Sequence, residues 1–438
     1  MKKLISTIEH IFSIEELRNR IINTLGFILI FRIGSYIVLP GVDPTKLTKN
    51  TSGILGLLDT FLGGAFSNAS VFALGIMPYI SASIVLQLLT VAVPYFQKLQ
   101  KEGESGRKKI NQMTRMLTIV ITLFQSIGYV SATIPTDAIL VDRTFFTMSS
   151  VMILISGTIF CMWLGEKITD RGIGNGISML IMIGIISRFP GAIIAEGISK
   201  GMPGILFFLI ELIALFFVVM AVIMITQATR RIPVQYAKQL VGNKVYGGQR
   251  QYIPLKLNSS GVMPIIFAQS LMFLPALVAS LFADSSDIAN VIGATFSDYT
   301  TWQYNLFFAL LIIIFTYFYT AIAINPTQMS EDIKRNGGFI PGIKPGKSTA
   351  DFIDNVISKI TLPGALFLIS IAVLPSLAVV FGISREFAQF YGGTSLLIMV
   401  GVVLDTLQQI ESYLLMKKYD GLMKSGRIKG RSETSLVA

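Results

Sequence analysis

The sequence predicts an all-α membrane protein whose chain crosses the bilayer about ten times. Of its 438 residues, 52% are hydrophobic and only 14% are charged, whereas a soluble domain carries about a quarter charged residues. The mean hydropathy is +0.66. Because so few charges cannot cover a water-facing surface, the composition excludes a soluble globular protein and a disordered one.

Ten apolar windows, each near the length of about 20 residues that a membrane helix needs, define the expected spans. Polar stretches rich in Gly and Pro separate them. Lipid offers backbone groups no hydrogen-bond partner, so the spans are read as helices and not as alternating barrel strands. The windows lie near 21–39, 71–93, 114–134, 145–165, 177–198, 204–227, 261–283, 304–324, 362–382 and 393–416.

The distribution of Lys and Arg predicts the orientation of the chain. Of the 36 Lys and Arg residues, 29 fall in the termini and in alternate loops, six fall in the opposite loops, and Arg32 lies in the first span. Because positive loops stay in the cytoplasm, both termini are expected to be cytoplasmic. Five spans precede the turn at 199–203 and five follow it, which places the two halves in opposite orientations and permits an inverted repeat.

Two rare residues exclude several kinds of chemistry. The chain has one cysteine, Cys161, and one histidine, His10. An intramolecular disulfide, a Cys-based metal framework and a His-paired nucleophile are therefore excluded. Cys161 lies in an apolar run and is expected to be a small buried residue. We expect no catalytic residues, no metal site and no cofactor.

Two segments stand out from the ordinary spans. Residues 53–69 read GILGLLDTFLGGAFSNA, too short to cross the membrane. They form either an interfacial helix or a re-entrant element shielded by protein. The glycines of RGIGNGIS, residues 171–178, lack a preceding strand and a P-loop Lys, so a tight turn into the fifth helix, with Asn175 as its cap, is favoured over a nucleotide site.

Five blocks of the sequence resemble the SecY family, the large subunits of the bacterial protein-conducting channel. The resemblance runs from about residue 10 to the C-terminal tail, in the family's order. It implies ten transmembrane helices in two inverted five-helix halves around a central pore, with a short re-entrant plug helix at about 53–69. The blocks are GGAFSNASVFALGIMPYISASIVLQLLT, KEGESGRKKINQMTR, WLGEKITDRGIGNGIS, INPTQMSEDIKRNGGFIPGIKPG and FYGGTSLLIMV.

The resemblance implies a ring of six isoleucines at the pore constriction, referred to below as the pore ring. The two pairs that share a helix are spaced i, i+4, which puts each pair on one helix face. Branched aliphatic side chains close a pore by dewetting, yet they yield to an unfolded chain. The pore ring comprises Ile76, Ile80, Ile177, Ile181, Ile266 and Ile398.

The resemblance also implies a plug and a lateral gate. The second and seventh spans would form the gate, through which a signal sequence reaches the lipid, and polar residues there would form hydrogen bonds across a contact that must open. The plug residues are Leu55, Leu58, Phe61, Gly63 and Gly64, and the gate residues are Ser81, Ser83, Gln87, Gln269 and Ser270.

Basic cytoplasmic loops at about 228–258 and 325–359 resemble the family's docking surface. They would meet ribosomal RNA phosphates or the acidic face of a motor. The implied partners are SecE-like and SecG-like membrane subunits, a SecA-like ATPase motor, the ribosome through protein and rRNA, secretory precursors with their signal sequences, and membrane lipids. The docking residues are Arg230, Arg231, Lys238, Lys244, Arg250, Lys334, Arg335 and Lys344.

The expected organisation is an N-terminal half at 1–198, a C-terminal half at 199–416 and a cytoplasmic tail at 417–438. The resemblance implies a non-enzymatic channel in the bacterial cytoplasmic (inner) membrane. It would pass unfolded secretory proteins across the membrane and release membrane-protein segments into it. The alternative is an ion-coupled secondary transporter, for which the isolated ionisable candidates are Arg32, Glu211, Asp405 and Glu411. An intramembrane protease is disfavoured because it needs an aspartate pair or a Ser/His dyad.

Overall fold

A computed structural model of the chain is dominated by long helices. Seven helices within its described part are long and apolar enough to cross a membrane, or eight if a bent pair counts as one span. This confirms the predicted class of helical membrane protein. The structure describes residues 12–47, 59, 62–236, 239–241, 244–246, 250–269, 271–272, 295 and 298–424.

Within the described residues, the first half of the chain contributes six numbered helices. Between them lies a short 3₁₀ turn, Thr136–Ala138. The helices are α1 Glu15–Gly34, α2 Met77–Ala92, α3 Pro94–Lys101, α4 Glu104–Thr133, α5 Arg143–Arg171 and α6 Gly176–Lys200.

The second half starts with a 3₁₀ turn, Met202–Gly204. Its described residues add six further numbered helices. Residues 263–269 and 271–272 are also helical. The numbered helices are α7 Ile205–Thr226, α8 Trp302–Ala323, α9 Pro326–Arg335, α10 Lys347–Val380, α11 Arg385–Ala388 and α12 Gly393–Lys424.

Most predicted spans coincide with these helices, and the differences have local causes. The first helix begins before the predicted span 21–39 and ends at Gly34. A side chain at Gly34 would collide with the ring of Phe72. After Gly34 the chain runs extended beside residues 69–71, where the amide of Val71 donates to the carbonyl of Ile37 at 2.8 Å.

The second predicted span is broken. Its two parts, Met77–Thr90 and Pro94–Gln100, are bent by 101°. Pro94 causes the break, because proline has no amide hydrogen to continue the helix ladder. The seventh predicted span, 261–283, lies partly outside the described residues, so the total of ten spans stays a prediction.

A small sheet joins the two loops that the sequence predicted to be cytoplasmic. Strand β1, Thr229–Tyr236, pairs antiparallel with β4, Arg250–Lys256, in the register Ile232 to Ile253. It also pairs with β5, Gly338–Phe339. Two further strands, β2 at Gln239–Val241 and β3 at Lys244–Tyr246, form a separate hairpin. This sheet was not predicted from the sequence.

The sheet rests on its own apolar core. Ile232 and Val234 of β1 pack with Ile333 of α9 and with Ile353 and Ile357 of α10. All five are buried. We call the sheet with this core the loop platform; it fixes both basic loops to the base of α10.

The two halves meet along α6, which packs against α7, α11 and α12. A glycine-rich contact places α6 against α5. A side chain at Gly176 would collide with the carbonyl oxygen of Gly165. Cys161 of α5 is fully buried in a neighbouring apolar cluster, as predicted, whereas His10 lies outside the described residues.

Candidate functional site

Three members of the pore ring lie in one apolar cluster. Ile76 is the N-cap residue of α2, and Ile80 follows one turn later. Ile177 lies in the first turn of α6. Ile76 is buried, and Ile80 and Ile177 are half-buried against the same cluster, which includes Leu164 and Leu180.

The other three members share a second cluster. Ile398 of α12 is buried there, and Ile181 and Ile266 pack against it. Ile80, which packs against the first cluster, and Ile266, which packs against the second, both pack against a third cluster that includes Ile84. The ring residues of α2, of 263–269, of α6 and of α12 therefore belong to one linked set of apolar contacts.

A small cavity opens among the ring residues. Ile76, Ile80 and Ile181 line it together with Leu62, which belongs to the re-entrant segment. Leu62 is buried, with 6% of its surface exposed. The re-entrant segment thus lines a cavity that is shared with three of the six ring residues.

The described part of the re-entrant segment, Asp59 and 62–69, is packed inside the bundle. Leu62 and Phe66 are buried, and the chain is folded into successive turns. This favours the re-entrant expectation over an interfacial helix. Of the predicted plug residues, Gly63 and Gly64 are described, and Leu55, Leu58 and Phe61 lie outside the described residues.

Gly63 and Gly64 are required by their conformation and by close approach. Their φ angles are +62° and +89°, which favour glycine. A side chain at Gly63 would lie 2.9 Å from the Cα of Gly184 in α6. A side chain at Gly64 would meet the guanidinium of Arg188 at 3.0 Å. The segment therefore lies directly against α6.

Hydrogen bonds from three helices hold this segment. The hydroxyl of Tyr129 in α4 donates to the carbonyl of Phe66 at 2.6 Å. Arg32 of α1 donates to the carbonyl of Gly63 at 3.3 Å. Arg188 of α6 donates to the carboxylate of Asp59. Asp59 was not among the predicted site residues; an acid within an apolar glycine-rich segment is the signal that could have found it.

The predicted gate residues behave differently from one another. Gln87 of α2 accepts from the hydroxyl of Tyr319 in α8 at 3.1 Å and donates to Ser83 at 3.4 Å. Ser81 donates to the carbonyl of Met77 in its own helix. Gln87 therefore joins two helices, and Ser81 does not.

Among the described residues, Gln269 bonds to α12 and not to the second span. Its side-chain oxygen accepts from the hydroxyl of Thr394 at 2.6 Å, which ties it to α12. Nearby, Phe267 packs edge-to-face on Tyr319, with ring centroids 4.9 Å apart. Ile84 of α2 is buried in the same cluster. The contact between α2 and 263–269 is therefore mainly apolar, and Ser270 lies outside the described residues.

The docking residues are displayed around the loop platform. All six of the following docking residues are exposed: Arg230, Arg231, Arg250, Lys334, Arg335 and Lys344. No ion pair engages these six side chains within the part of the chain that the structure describes. Lys244 begins β3, and Lys238 lies outside the described residues. The arrangement is a cationic surface accessible to an anionic partner.

Two of the candidate transporter residues are not isolated, contrary to expectation. Glu211 of α7 pairs with Lys200 at 3.0 Å, and Arg32 donates to Gly63 and to Tyr36. Asp405 is exposed on α12. Sequence spacing did not reveal the pairings of Glu211 with Lys200 and of Arg32 with Gly63, because the partners belong to different elements.

Asn175 caps α6, as predicted. Its side-chain oxygen accepts from the amides of Ile177 and Ser178 at 3.1 and 3.2 Å. The cap fixes the start of the helix that carries Ile177 and Ile181. It thereby sets the position of two ring residues.

Comparisons with known proteins agree with this arrangement. The SecY family model matches residues 70–407. Protein translocase subunit SecY of Streptomyces scabiei is 42% identical, with 94% of this chain and 98% of the relative aligned. The same subunit of Halalkalibacterium halodurans is 43% identical, with 95% and 99% aligned.

A solved structure has the same fold. It belongs to a SecY protein whose plug domain is described as stabilising the closed state of the translocation channel and maintaining a membrane seal. The TM-score is 0.61 at 17% identity, over 90% of this chain and 92% of that chain. From the family match and the near full-length relatives, we conclude that the chain belongs to the SecY family of protein translocase subunits.

Proposed function

We propose that this chain forms a gated, non-enzymatic channel that passes unfolded secretory proteins across a bacterial cytoplasmic membrane and releases membrane-protein segments sideways into the lipid. The observation that carries the proposal is that Leu62 lines one cavity together with Ile76, Ile80 and Ile181. A re-entrant segment seated on an isoleucine ring closes a path without a specific binding site.

The pore ring supplies a seal that opens without chemistry. Isoleucine side chains offer no hydrogen bond to a passing chain, so nothing specific must be replaced when they part. Ions, which need hydration, meet a dry constriction. The six ring residues come from four separate helical segments, so small movements of these segments widen the constriction.

The side opening lies where α2 meets 263–269 and α8. Apolar contact among Ile84, Phe267 and Tyr319 closes it, and the bond between Tyr319 and Gln87 adds one polar contact. Residues 1–198 and 199–416 act as the two halves that part there. They are joined at Gly201, whose φ of +60° makes a tight turn.

The loop platform serves as the docking surface on the cytoplasmic side, where both chain termini also lie. Its arginines and lysines suit ribosomal RNA phosphates and the acidic face of a SecA-like motor. SecE-like and SecG-like subunits complete the channel within the membrane. Energy for movement comes from the motor or from the ribosome.

Cross-linking of a stalled precursor tests the proposal. A photoreactive residue is placed singly at Ile80, Ile181 or Ile266, in membranes that contain the partner subunits. The expected result is labelling of the stalled precursor at all three positions. Control positions are Phe124 and Leu310, whose exposed fractions are 68% and 50%. Labelling at the controls but not at the ring would refute the proposal.

A further inference from the structure

An ion pair between a buried carboxylate and a partly exposed guanidinium joins the re-entrant segment to α6. The Nη2 group of Arg188 donates to Oδ2 of Asp59 and, at 3.1 Å, to the hydroxyl of Ser67. The other carboxylate oxygen of Asp59 accepts from the amide of Ser67 at 2.8 Å. The Asp59 side chain is 5% exposed and the Arg188 side chain is 38% exposed. The charge of Asp59 is therefore compensated only while the segment lies against α6.

Arg188 lies on the face of α6 that carries the pore ring. Ile177, Ile181, Gly184 and Arg188 follow the spacing i, i+4, i+7, i+11, which keeps them on one side of a helix. Arg188 stands seven residues beyond Ile181, or about 10 Å along the axis. The contact of Gly63 with Gly184 lies between them. The ion pair therefore lies on the proposed path, beyond the constriction.

The contact between Asp59 and Arg188 joins two charged side chains, whereas the hydrogen bonds from Tyr129 and Arg32 to the segment do not. Tyr129 and Arg32 bind backbone carbonyls of Phe66 and Gly63, so the side chains of the segment do not control those bonds. In the contact between Asp59 and Arg188, by contrast, each side chain compensates the charge of the other. A buried carboxylate that loses its partner charge is strongly destabilised, whereas removal of both charges costs much less.

We propose that Asp59 and Arg188 form a charge latch that holds the re-entrant segment in the resting channel. The inference rests on the proposed function and names two positioning residues for its closed state. When the segment leaves, both groups become hydrated, and the guanidinium of Arg188 faces the passing chain. The latch thus favours closure while letting water stabilise the open state.

A double-mutant cycle tests the latch. Asp59→Asn, Arg188→Gln and the double variant are each reconstituted with the partner subunits, and the ion conductance of resting channels is measured. Each single variant is expected to raise conductance at least tenfold, which corresponds to about 1.4 kcal/mol in the closing equilibrium. The double variant is expected to conduct no more than either single variant. The proposal would be overturned if the single variants left the resting conductance unchanged. It would also be overturned if the conductance increase of the double variant equalled the product of the two single increases.

Two controls separate the latch from general damage. Arg188→Lys keeps the charge and is expected to retain most of the closure. Arg385→Gln breaks an exposed pair with Asp298, 3.6 Å apart with side chains 52% and 38% exposed, and is expected to leave conductance unchanged. An Arg188→Lys variant as leaky as Arg188→Gln, or an equally leaky Arg385→Gln variant, would contradict the latch.

Precursor transport in the same vesicles keeps the two proposals distinguishable. Wild-type vesicles that transport a secretory precursor, combined with unchanged conductance in the latch variants, would refute the latch alone. Wild-type vesicles that transport no precursor would refute the proposed function. The unfolding temperature of each purified complex is measured alongside, and a latch variant that leaks with an unchanged unfolding temperature supports the proposal.

Discussion

The hydroxyl of Tyr319 in α8 forms a hydrogen bond across the proposed lateral gate to α2. It donates to Gln87 of α2 at 3.1 Å, and the Tyr319 ring stacks edge-to-face on Phe267. Tyr319→Phe removes the hydroxyl and keeps the ring and its packing. The substitution therefore isolates one hydrogen bond in a contact that is otherwise apolar.

The expected magnitude follows from the setting of this bond. Tyr319 is buried, with 8% of its surface exposed, and hydrogen bonds between membrane helices contribute about 0.6 to 1.7 kcal/mol. Loss of about 1 kcal/mol from the closed gate corresponds to about a fivefold increase in the open fraction. The bond from Gln87 to Ser83 still satisfies part of the Gln87 side chain in the variant.

The assay compares transport of two precursors, one with a full signal sequence and one whose apolar run is shortened. A weak signal depends on how readily the gate opens, so Tyr319→Phe is expected to raise its transport about fivefold and to change the full signal little. Tyr317→Phe is the matched control, because Tyr317 lies two residues away and is 40% exposed. Equal transport in the two variants would refute the reasoning.

A second cycle assigns the effect to the bond itself. Gln87→Leu removes the acceptor in α2, and the double variant with Tyr319→Phe is expected to resemble either single variant. If the increases in transport of the weak-signal precursor multiply in the double variant, the two residues act separately. In that case the Tyr319 hydroxyl would act independently of Gln87.

Two further predictions concern the loop platform. Ile353 of α10 is fully buried against the sheet, so Ile353→Ala is expected to destabilise the platform by about 2 to 5 kcal/mol. Limited proteolysis of the loops measures this, and an equal effect of Phe352→Ala, which truncates a neighbour that is 38% exposed, would contradict it. Replacement of Arg230 or Arg231 by Gln is expected to weaken ribosome binding and to make its salt dependence shallower, by a slope of about one for each phosphate that the loop no longer binds. Ribosome binding with an unchanged salt slope would place the contact elsewhere.

Local sequence signals predicted much of the fold. Apolar length predicted most of the helix positions, since a span in lipid must satisfy its backbone hydrogen bonds internally, which a helix does. The cap at Asn175 and the buried state of Cys161 followed from local chemistry in the same way. These features could be predicted because they depend on residues that are close together in the sequence.

Features that depend on residues distant in the chain could not be predicted from the sequence. The strands at Thr229–Tyr236 and Arg250–Lys256 alternate too briefly to be predicted, and their pairing is completed by β5, about one hundred residues later. Gln269 was expected to face the second span, yet it bonds to Thr394. Glu211 was expected to be isolated, yet it pairs with Lys200.

The amino-acid sequence alone determined that this chain is a helical membrane protein, because hydropathy and loop charge are local quantities that act directly on lipid and water. Tertiary structure alone decided that Asp59 meets Arg188, 129 residues away in the chain. Such a pairing depends on how α6 and a short glycine turn are brought together, and no local pattern encodes that approach.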